Sequence, residues 1–368
     1  MIHCPYCMRP SDVRRIPFHC LTDGCGRDVE PVRRGPSSCP GCGQPLSRRS
    51  CPECHALLPL GYCDQPSRII ALFGAIESGK SVFVTVLVTE LRRWLHRELG
   101  VSMGAGDDYT ARRYAELWDT LYGNERRTPD KTPEAAGPAQ VRPLVFTLSI
   151  PRTRWGRELH ERVTLVFFDT AGEDMSDEVR LSKYGAYLRV ASGIVFVVDP
   201  GEFTRADRDL ITPGIPRSDP GKTMGEQTIK QLTNWRREFQ NGEKAALAVP
   251  ACLVVTKIDR LAASLSKDLV LQQVPQHRRG LNQADQEAVH DEVKGLLAYW
   301  GSQLGQLESQ YRRFACFAVS ALGNSTVLET DHRIGRPRPH VHPGGVRPHR
   351  VIDPLLWLLA ELDLVPRN

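Results

Sequence analysis

The chain has 368 residues, 41% of them apolar and 25% charged, with a formal net charge of +5. That length fits one large domain or two unequal ones, with enough apolar content for a folded core. Met1 leads straight into His3-Cys4-Pro5 and no apolar run is long enough for a bilayer, so neither a signal peptide nor a membrane span is expected, and a cytoplasmic location is.

Eleven cysteines in such a chain argue for metal rather than disulfides. Eight of them form four pairs near the start: Cys4 with Cys7, Cys20 with Cys25, Cys39 with Cys42, and Cys51 with Cys54. Three pairs are C-x-x-C turns and the second is C-x₄-C, ringed by Pro5, Gly24, Gly26, Pro40, Gly41, Gly43 and Pro52. Each turn aims two sulfurs at one tetrahedral ion, and two turns complete a Cys₄ zinc site. The simplest grouping is sequential: Cys4, Cys7, Cys20 and Cys25 in one site, Cys39, Cys42, Cys51 and Cys54 in the other. An interleaved grouping, first pair with third and second with fourth, competes with it. All-cysteine sites leave no position for water and read as structural, and the ions would supply folding energy to a segment with little core. His3, His19 and His55 flank the turns as surface groups or supports. Cys252 and Cys316 sit in apolar runs as small hydrophobes, and Cys63 stands outside the pairs.

Thiolates on two Zn²⁺ bring the formal charge to about +1, so the basicity is weak evidence for nucleic acid. Few aromatics in this front end can stack on bases. A protein-docking module is the favoured reading over a nucleic-acid one. Gln65-Pro66-Ser67 reads as a hinge, dividing a tandem zinc-ribbon module at 1–65 from a second domain at 66–368.

From residue 68 apolar, strand-like runs recur at 68–73, 143–150, 162–168, 193–199, 250–256 and 314–319. Several are apolar throughout, as strands buried on both faces must be. Helical patterns fall between them at 80–98, 108–122, 178–190, 224–240 and 285–300. The alternation predicts an α/β fold with a doubly wound, mostly parallel sheet, whose ligands sit at the strands' carboxyl ends.

Motifs occupy those ends. After the first run comes Gly74-Ala75-Ile76-Glu77-Ser78-Gly79-Lys80-Ser81, the P-loop pattern. Its amides can wrap a phosphate chain, its lysine can reach the β/γ oxygens and its serine can bind Mg²⁺. Gly74, Glu77, Ser78, Gly79, Lys80, Ser81 and Val82 are the expected nucleotide contacts. Only nine of the 48 basic residues are lysine, yet Lys80 and Lys257 both fall at motif positions where arginine's planar fork would not substitute. Residues 124–142 form a polar, proline-rich loop with two candidate switch threonines, Thr128 and Thr132; Thr132, deeper in the loop, is preferred as catalytic and Mg²⁺-binding. The helix before it carries Tyr109, Tyr114, Leu117, Trp118 and Leu121 at core-like spacing.

Asp169-Thr170-Ala171-Gly172 follows the third run. Asp169 can hold Mg²⁺, and the Gly172 N–H can sense a γ-phosphate, making 172–178 a switch segment. Thr256-Lys257-Ile258-Asp259 follows the fifth: the carboxylate can accept from guanine N1–H and N2–H₂, a donor pair adenine lacks, while the lysine stem lies along the base. Ser320-Ala321-Leu322 after the last run can offer amides to guanine O6. Residues 200–222 and 332–350 read as insertions, the second, with five arginines and four histidines, as a solvated loop that could overhang the base or present a basic face. His340 and His342 as metal ligands are a minor alternative. Asp353 and Pro354 read as N-cap and first position of a final helix whose Leu355, Leu358, Leu359 and Leu362 share a face.

The order GxxxxGKS, DxxG, TKxD and SA, spanning residues 74 to 321, resembles the Ras-like, translation-factor-related P-loop GTPases. More narrowly the chain is similar to the bacterial double-GTPase family, through the N-terminal zinc ribbon, DTAGE, Asp199-Pro200 and the TKxD box. That resemblance implies GTP/GDP and Mg²⁺ as ligands, and a second GTPase or a GTPase-activating protein as partner, in a conflict or signalling operon. The sequence departs from small GTPases at Glu173, where glutamine usually orients water. Glutamate lacks the N–H and repels phosphate, so slow intrinsic hydrolysis is expected, with an arginine supplied in trans. An ATPase, a nucleotide-loaded scaffold whose ribbons grip protein or RNA, and membrane association through the basic loop are the rival readings.

Overall fold

In a computed structural model of the chain, which describes residues 1–31, 38–64, 67–74, 78–129, 142–154, 157–169, 185–203, 225–238, 246–331 and 336–368, seven strands form the central sheet. They are β1 (Ser67–Gly74), β2 (Ser102–Ala105), β3 (Leu144–Arg154), β4 (Arg157–Asp169), β5 (Gly193–Val198), β6 (Ala251–Val255) and β7 (Phe314–Ala318), in the order β7-β6-β5-β1-β4-β3-β2. β1, β4, β5, β6 and β7 run parallel, and β3 and β2 extend the sheet in antiparallel register. The apolar runs explain the parallel core: Ile69 to Phe73, Ile194 to Val198 and Ala251 to Val255 are all buried.

Helices α1 (Lys80–Leu99), α2 (Asp108–Tyr122), α3 (Gly225–Glu238), α4 (Gln283–Tyr299) and α5 (Asp353–Glu361) flank the sheet. α1 is buried all round from Phe83 to Thr89 and then at Leu91, Trp94 and Leu95, and ends at Gly100, whose left-handed φ of 65° lets its N–H reach the His96 and Leu95 carbonyls. α2 starts where the Asp107 carboxylate accepts the Thr110 N–H, and α4 where Asn282 accepts from Asp285. On α2, Leu117 and Leu121 are buried while Trp118 is exposed and stacks on Tyr122. Of the stretch expected as a helix at 178–190, residues 185–190 are described and helical.

Three features differ from expectation. β2 was not foreseen, because Ser-Met-Gly-Ala has little strand propensity; pairing with β3 makes it a strand. Part of the segment read as a solvated loop is ordered pairing: β8 (Val327–Asp331) and β9 (Arg336–His340) form an antiparallel hairpin. Pro337 and Pro339 lie on β9, where neither can donate a ladder hydrogen bond. Residues 126–128 then join β9: the Val341 N–H donates to the Arg126 carbonyl, and both the N–H and hydroxyl of Thr128 donate to the Pro339 carbonyl at 3.1 Å. Finally, Asp353 is the first residue of α5 rather than its N-cap, which is Ile352.

The Asp353 carboxylate has another use. The Arg350 guanidinium, 1% exposed, donates to Asp353 at 2.9 Å, to both oxygens of Asp285 at 2.7 and 2.9 Å, and to the Val270 carbonyl at 2.7 Å. His277 Nε2 lies 3.2 Å from the same Asp353 carboxylate, while its Nδ1 accepts the Asn282 N–H. This network joins α4 to α5. Removing one partner of a buried pair strands the other charge, at about 3–5 kcal/mol. Arg350→Ala is therefore expected to lose about that much unfolding free energy in urea titrations at neutral pH. A loss no larger than a surface substitution's would remove the network from the account.

Candidate nucleotide-binding site

β1 ends at Gly74 because nothing larger fits: a Cβ there would lie 2.5 Å from the Val197 carbonyl and 2.9 Å from Ser78 Oγ. Gly79 takes a left-handed φ of 81° immediately before α1. A Cβ at Gly79 would touch the Lys257 stem at 3.4 Å. Lys80, 7% exposed, opens α1 and donates from Nζ to the Gly74 carbonyl at 2.9 Å. The rim thus offers two glycines, a buried ammonium and the N-terminal end of a twenty-residue helix, a set that suits phosphate. Ser81 and Val82 are half-buried in the first turn of α1.

Thr256, buried at the end of β6, holds the neighbouring ends together. Its N–H donates to the Val198 carbonyl at 2.9 Å, and its hydroxyl lies 2.8 Å from the Ser78 carbonyl and 3.1 Å from that of Val198. Lys257 follows in the left-handed region, φ 53°. Its ammonium sits 2.5 Å from Asp199 Oδ2, and Arg260 lies 3.5 Å from the other oxygen. Asp199 is only 4% exposed. It also accepts the Gly201 N–H, while Glu202 accepts the Asp199 N–H, a reciprocal capping box at the end of β5. Sequence reasoning gave Asp199 no role in the site and passed over Glu202 and Arg260; the Asp-x-x-Glu spacing after a strand was the signal that could have found the first two.

Asp259 accepts a 2.5 Å hydrogen bond from the Ser320 hydroxyl, which itself accepts the Gly323 N–H. Burial raises the Asp259 pKa, with the Ser320 bond working the other way. The Ser320 loop is clamped from behind: Ser320 and His349 exchange backbone hydrogen bonds, and the Arg347 N–H donates to the Leu322 carbonyl. Gly323, φ +78°, must be bare, since any Cβ would collide with the Arg347 carbonyl. Ala321 and Leu322 pack half-buried against the core. The structure therefore brings Gly74, Ser78, Gly79, Lys80, Thr256, Lys257, Asp259 and Ser320 to one rim. Asp169 closes β4 with its backbone paired to Leu72. Glu77, Thr132, Gly172 and Glu173 lie outside the described residues. Thr128 is described, with its hydroxyl engaged by Pro339.

The cysteine turns pair in a nested order, which corrects both the sequential and the interleaved groupings. Cys4, Cys7, Cys51 and Cys54 converge, as do Cys20, Cys25, Cys39 and Cys42. The reason is the small sheet in which Phe18–His19 lies between Asp28–Val29 and Arg48–Arg49. It folds the second and third turns into a hairpin-like insert and returns the fourth turn to the first. Sulfur separations are 3.8 Å for Cys4–Cys54, 3.7 Å for Cys7–Cys51, 3.5 Å for Cys20–Cys42 and 3.7 Å for Cys25–Cys39. Tetrahedral Zn–S bonds of about 2.3 Å require sulfurs about 3.8 Å apart, so both tetrads fit an ion. A hydrogen bond between Cys4 and Cys7 pushes the Cys4 pKa up and draws that of Cys7 down to about 5. Backbone N–H groups of Gly41 and Cys42 lower the Cys39 pKa. His277, Asp285 and Asp353 also converge, but Arg350 already supplies their cation. His340 and His342 join no such cluster among the described residues.

Fold and rim together define a P-loop GTPase-type nucleotide-binding domain. The family model of Double-GTPase 2 matches residues 68–330, and the chain belongs to that family. It is similar to the putative ESX-1 scaffolding and assembly protein SaeC of Mycolicibacterium smegmatis, with 27% identity over 333 residues that cover 86% of this chain and 80% of that one. Among the described residues no helix is long and apolar enough to cross a membrane.

Burial pushes the Glu202 carboxyl from its ordinary 4.5 up to about 7. Because the folded value is the higher one, this group's stabilisation is full below about pH 4.5 and is lost as pH rises through about 7. Glu202→Gln should lack that decline. Urea unfolding of both proteins across this range should show the unaltered chain losing roughly 3 kcal/mol relative to the variant. Parallel pH profiles would contradict the assignment.

Proposed function

We propose that this chain is a Mg²⁺-dependent GTP-binding protein that hydrolyses GTP slowly and switches partner binding with nucleotide state. Family membership supports GTP binding. The observation that carries the reading further is the joint placement of Lys257 and Asp259. The Lys257 stem lies against Gly79 of the phosphate turn, and Asp259 is held by Ser320 beside it. In this reading the 74–81 amides and Lys80 hold the phosphates. Ser81, Thr132 and Asp169 hold Mg²⁺, Gly172 senses the γ-phosphate, and Asp259 selects guanine with the Ser320-Ala321-Leu322 amides. Capture of the Thr128 hydroxyl by Pro339 supports Thr132 over Thr128 as the switch threonine. Glu173 next to Gly172 makes turnover slow until a partner contributes. The cysteine-rich stretch to residue 65 is a tandem zinc module, and 66–368 is the nucleotide domain.

A second reading has its own support. The relative SaeC is described as a scaffolding and assembly protein, which fits a nucleotide-loaded scaffold with little turnover, whose partners are proteins.

Fluorescent GTP and ATP analogues separate guanine from adenine recognition. GTP should bind in preference, and Asp259→Asn should weaken it about 100-fold, since the amide loses the charge, accepts only one of the two guanine hydrogen bonds and turns its NH₂ toward the other donor. Preference for ATP, or indifference to Asp259→Asn, would end the guanine assignment. Phosphate release under saturating GTP and Mg²⁺ distinguishes switch from scaffold. A slow but measurable rate, reduced in Lys80→Ala, supports hydrolysis; no release above that of the variant supports the scaffold. An unchanged single-turnover rate in Glu173→Ala would remove Glu173 from the mechanism.

A further inference from the structure

The two cysteine tetrads are attached to the fold differently. The turn that carries Cys4 and Cys7 is docked on the central sheet. Met8 is 4% exposed inside the main core, and Tyr6 packs on the same core. The Tyr6 hydroxyl donates to Asp107 Oδ2 at 2.6 Å. The Arg142 guanidinium lies 5.2 Å from the ring centroids of both Tyr6 and Tyr109. Tyr187 donates to the Pro5 carbonyl at 3.4 Å. The other tetrad has its own small cluster of Leu46, Phe18 and Val29. Among the described residues, the hydrogen bonds of its turns run to partners within the first 50 residues.

From Tyr6 a continuous set of hydrogen bonds leads to the nucleotide rim. Asp107 caps α2 through the Thr110 N–H at 2.6 Å. The Thr110 hydroxyl accepts the Val145 N–H at 2.9 Å, where β3 begins. Leu144 and Val145 pair with Phe167 and Val166 of β4, and β4 ends at Asp169. Arg142, stacked on Tyr6, stands two residues ahead of β3.

We propose that the Cys4–Cys7–Cys51–Cys54 tetrad, when it holds its ion, is a strut of the nucleotide site, with Tyr6 as a positioning residue that fixes the start of β3 and so the end of β4 at Asp169. Ion occupancy of this tetrad and Mg²⁺–nucleotide affinity are then thermodynamically linked, and the link is reciprocal. The Cys20–Cys25–Cys39–Cys42 tetrad has no part in it. The proposal rests on the reading above, in which Asp169 holds the Mg²⁺ of bound nucleotide.

The test uses the full zinc-loaded chain and N-methylanthraniloyl-GDP, with Mg²⁺ and again in Mg²⁺-free buffer without chelator. Tyr6→Ala should weaken binding about 5- to 100-fold with Mg²⁺ and leave binding in Mg²⁺-free buffer unchanged, because Asp169 acts only through the metal. Tyr6→Phe, which keeps the ring and loses one hydroxyl, should fall between. Cys54→Ser and Cys42→Ser should each bind one zinc in place of two, and only Cys54→Ser should show the Mg²⁺-dependent loss. By reciprocity, Mg²⁺–nucleotide should slow zinc release from the docked tetrad to a chromophoric chelator and leave release from the other unchanged. Equal losses with and without Mg²⁺, equal effects of the two cysteine variants, or unmoved affinity in Tyr6→Ala would overturn the proposal while the functional reading stands. If the unaltered chain binds no guanine nucleotide, that reading falls and the strut falls with it.

Discussion

Gly74 and Val197 approach so closely that neither position has slack. The Gly74 Cα faces the Val197 carbonyl across a parallel ladder, with Ser78 folded back over it. This contact sets where β1 stops. The neighbouring registers follow from it: Asp169 opposite Leu72 on one side, Val198 opposite Val255 on the other. Because the strands run parallel, their carboxyl ends share one rim, and the loops that leave them meet without any strand reversing. Thr256 locks two of those loops with one hydroxyl and one N–H. A single side-chain atom at residue 74 would push Ser78 and Val197 away from the strand end.

Around this rim the polar groups are braced by one another. Asp199 holds Lys257, and Lys257 in turn covers Gly79. Ser320 holds Asp259, and the Arg347 to His349 segment holds the Ser320 loop. These ties bridge the ends of β1, β5, β6 and β7, so Lys257, Asp259 and Ser320 are held in place by the protein itself. Burial is what makes the arrangement exacting: a carboxylate such as Asp199, nearly closed off from water, is tolerable only with its cations and N–H groups in place.

Much of the architecture could be read from residues alone because parallel strands buried on both faces leave a strong mark. Runs such as Ile194 to Val198 need no alternation and admit no charge, and the motif glycines and lysines follow them at fixed distance. Elements created by pairing rather than propensity were invisible. β2 is a strand because β3 offers it an edge, and the proline-bearing β9 because β8 and residues 126–128 flank it. The grouping of cysteines was hidden for a similar reason. Spacing shows that each turn presents two sulfurs, but which turns face each other depends on a three-stranded sheet of two-residue strands, too short to register in a pattern. Arg350 is another case: within a basic, proline-rich stretch it reads as solvated, yet three acceptors on α4, α5 and the Val270 turn draw it inside.

The nested order of the cysteine turns implies a sequence in time. Cys20 and Cys42 are 22 positions apart, Cys4 and Cys54 are 50 apart, and the shorter span lies within the longer. Loop closure favours the inner ring by about 0.7 kcal/mol. During synthesis the preference becomes absolute, since residue 42 leaves the ribosome before residue 54. In a nascent chain the cysteines of the outlying tetrad are all present first, those of the docked tetrad follow, and more than eighty further residues pass before Arg142 emerges to meet Tyr6.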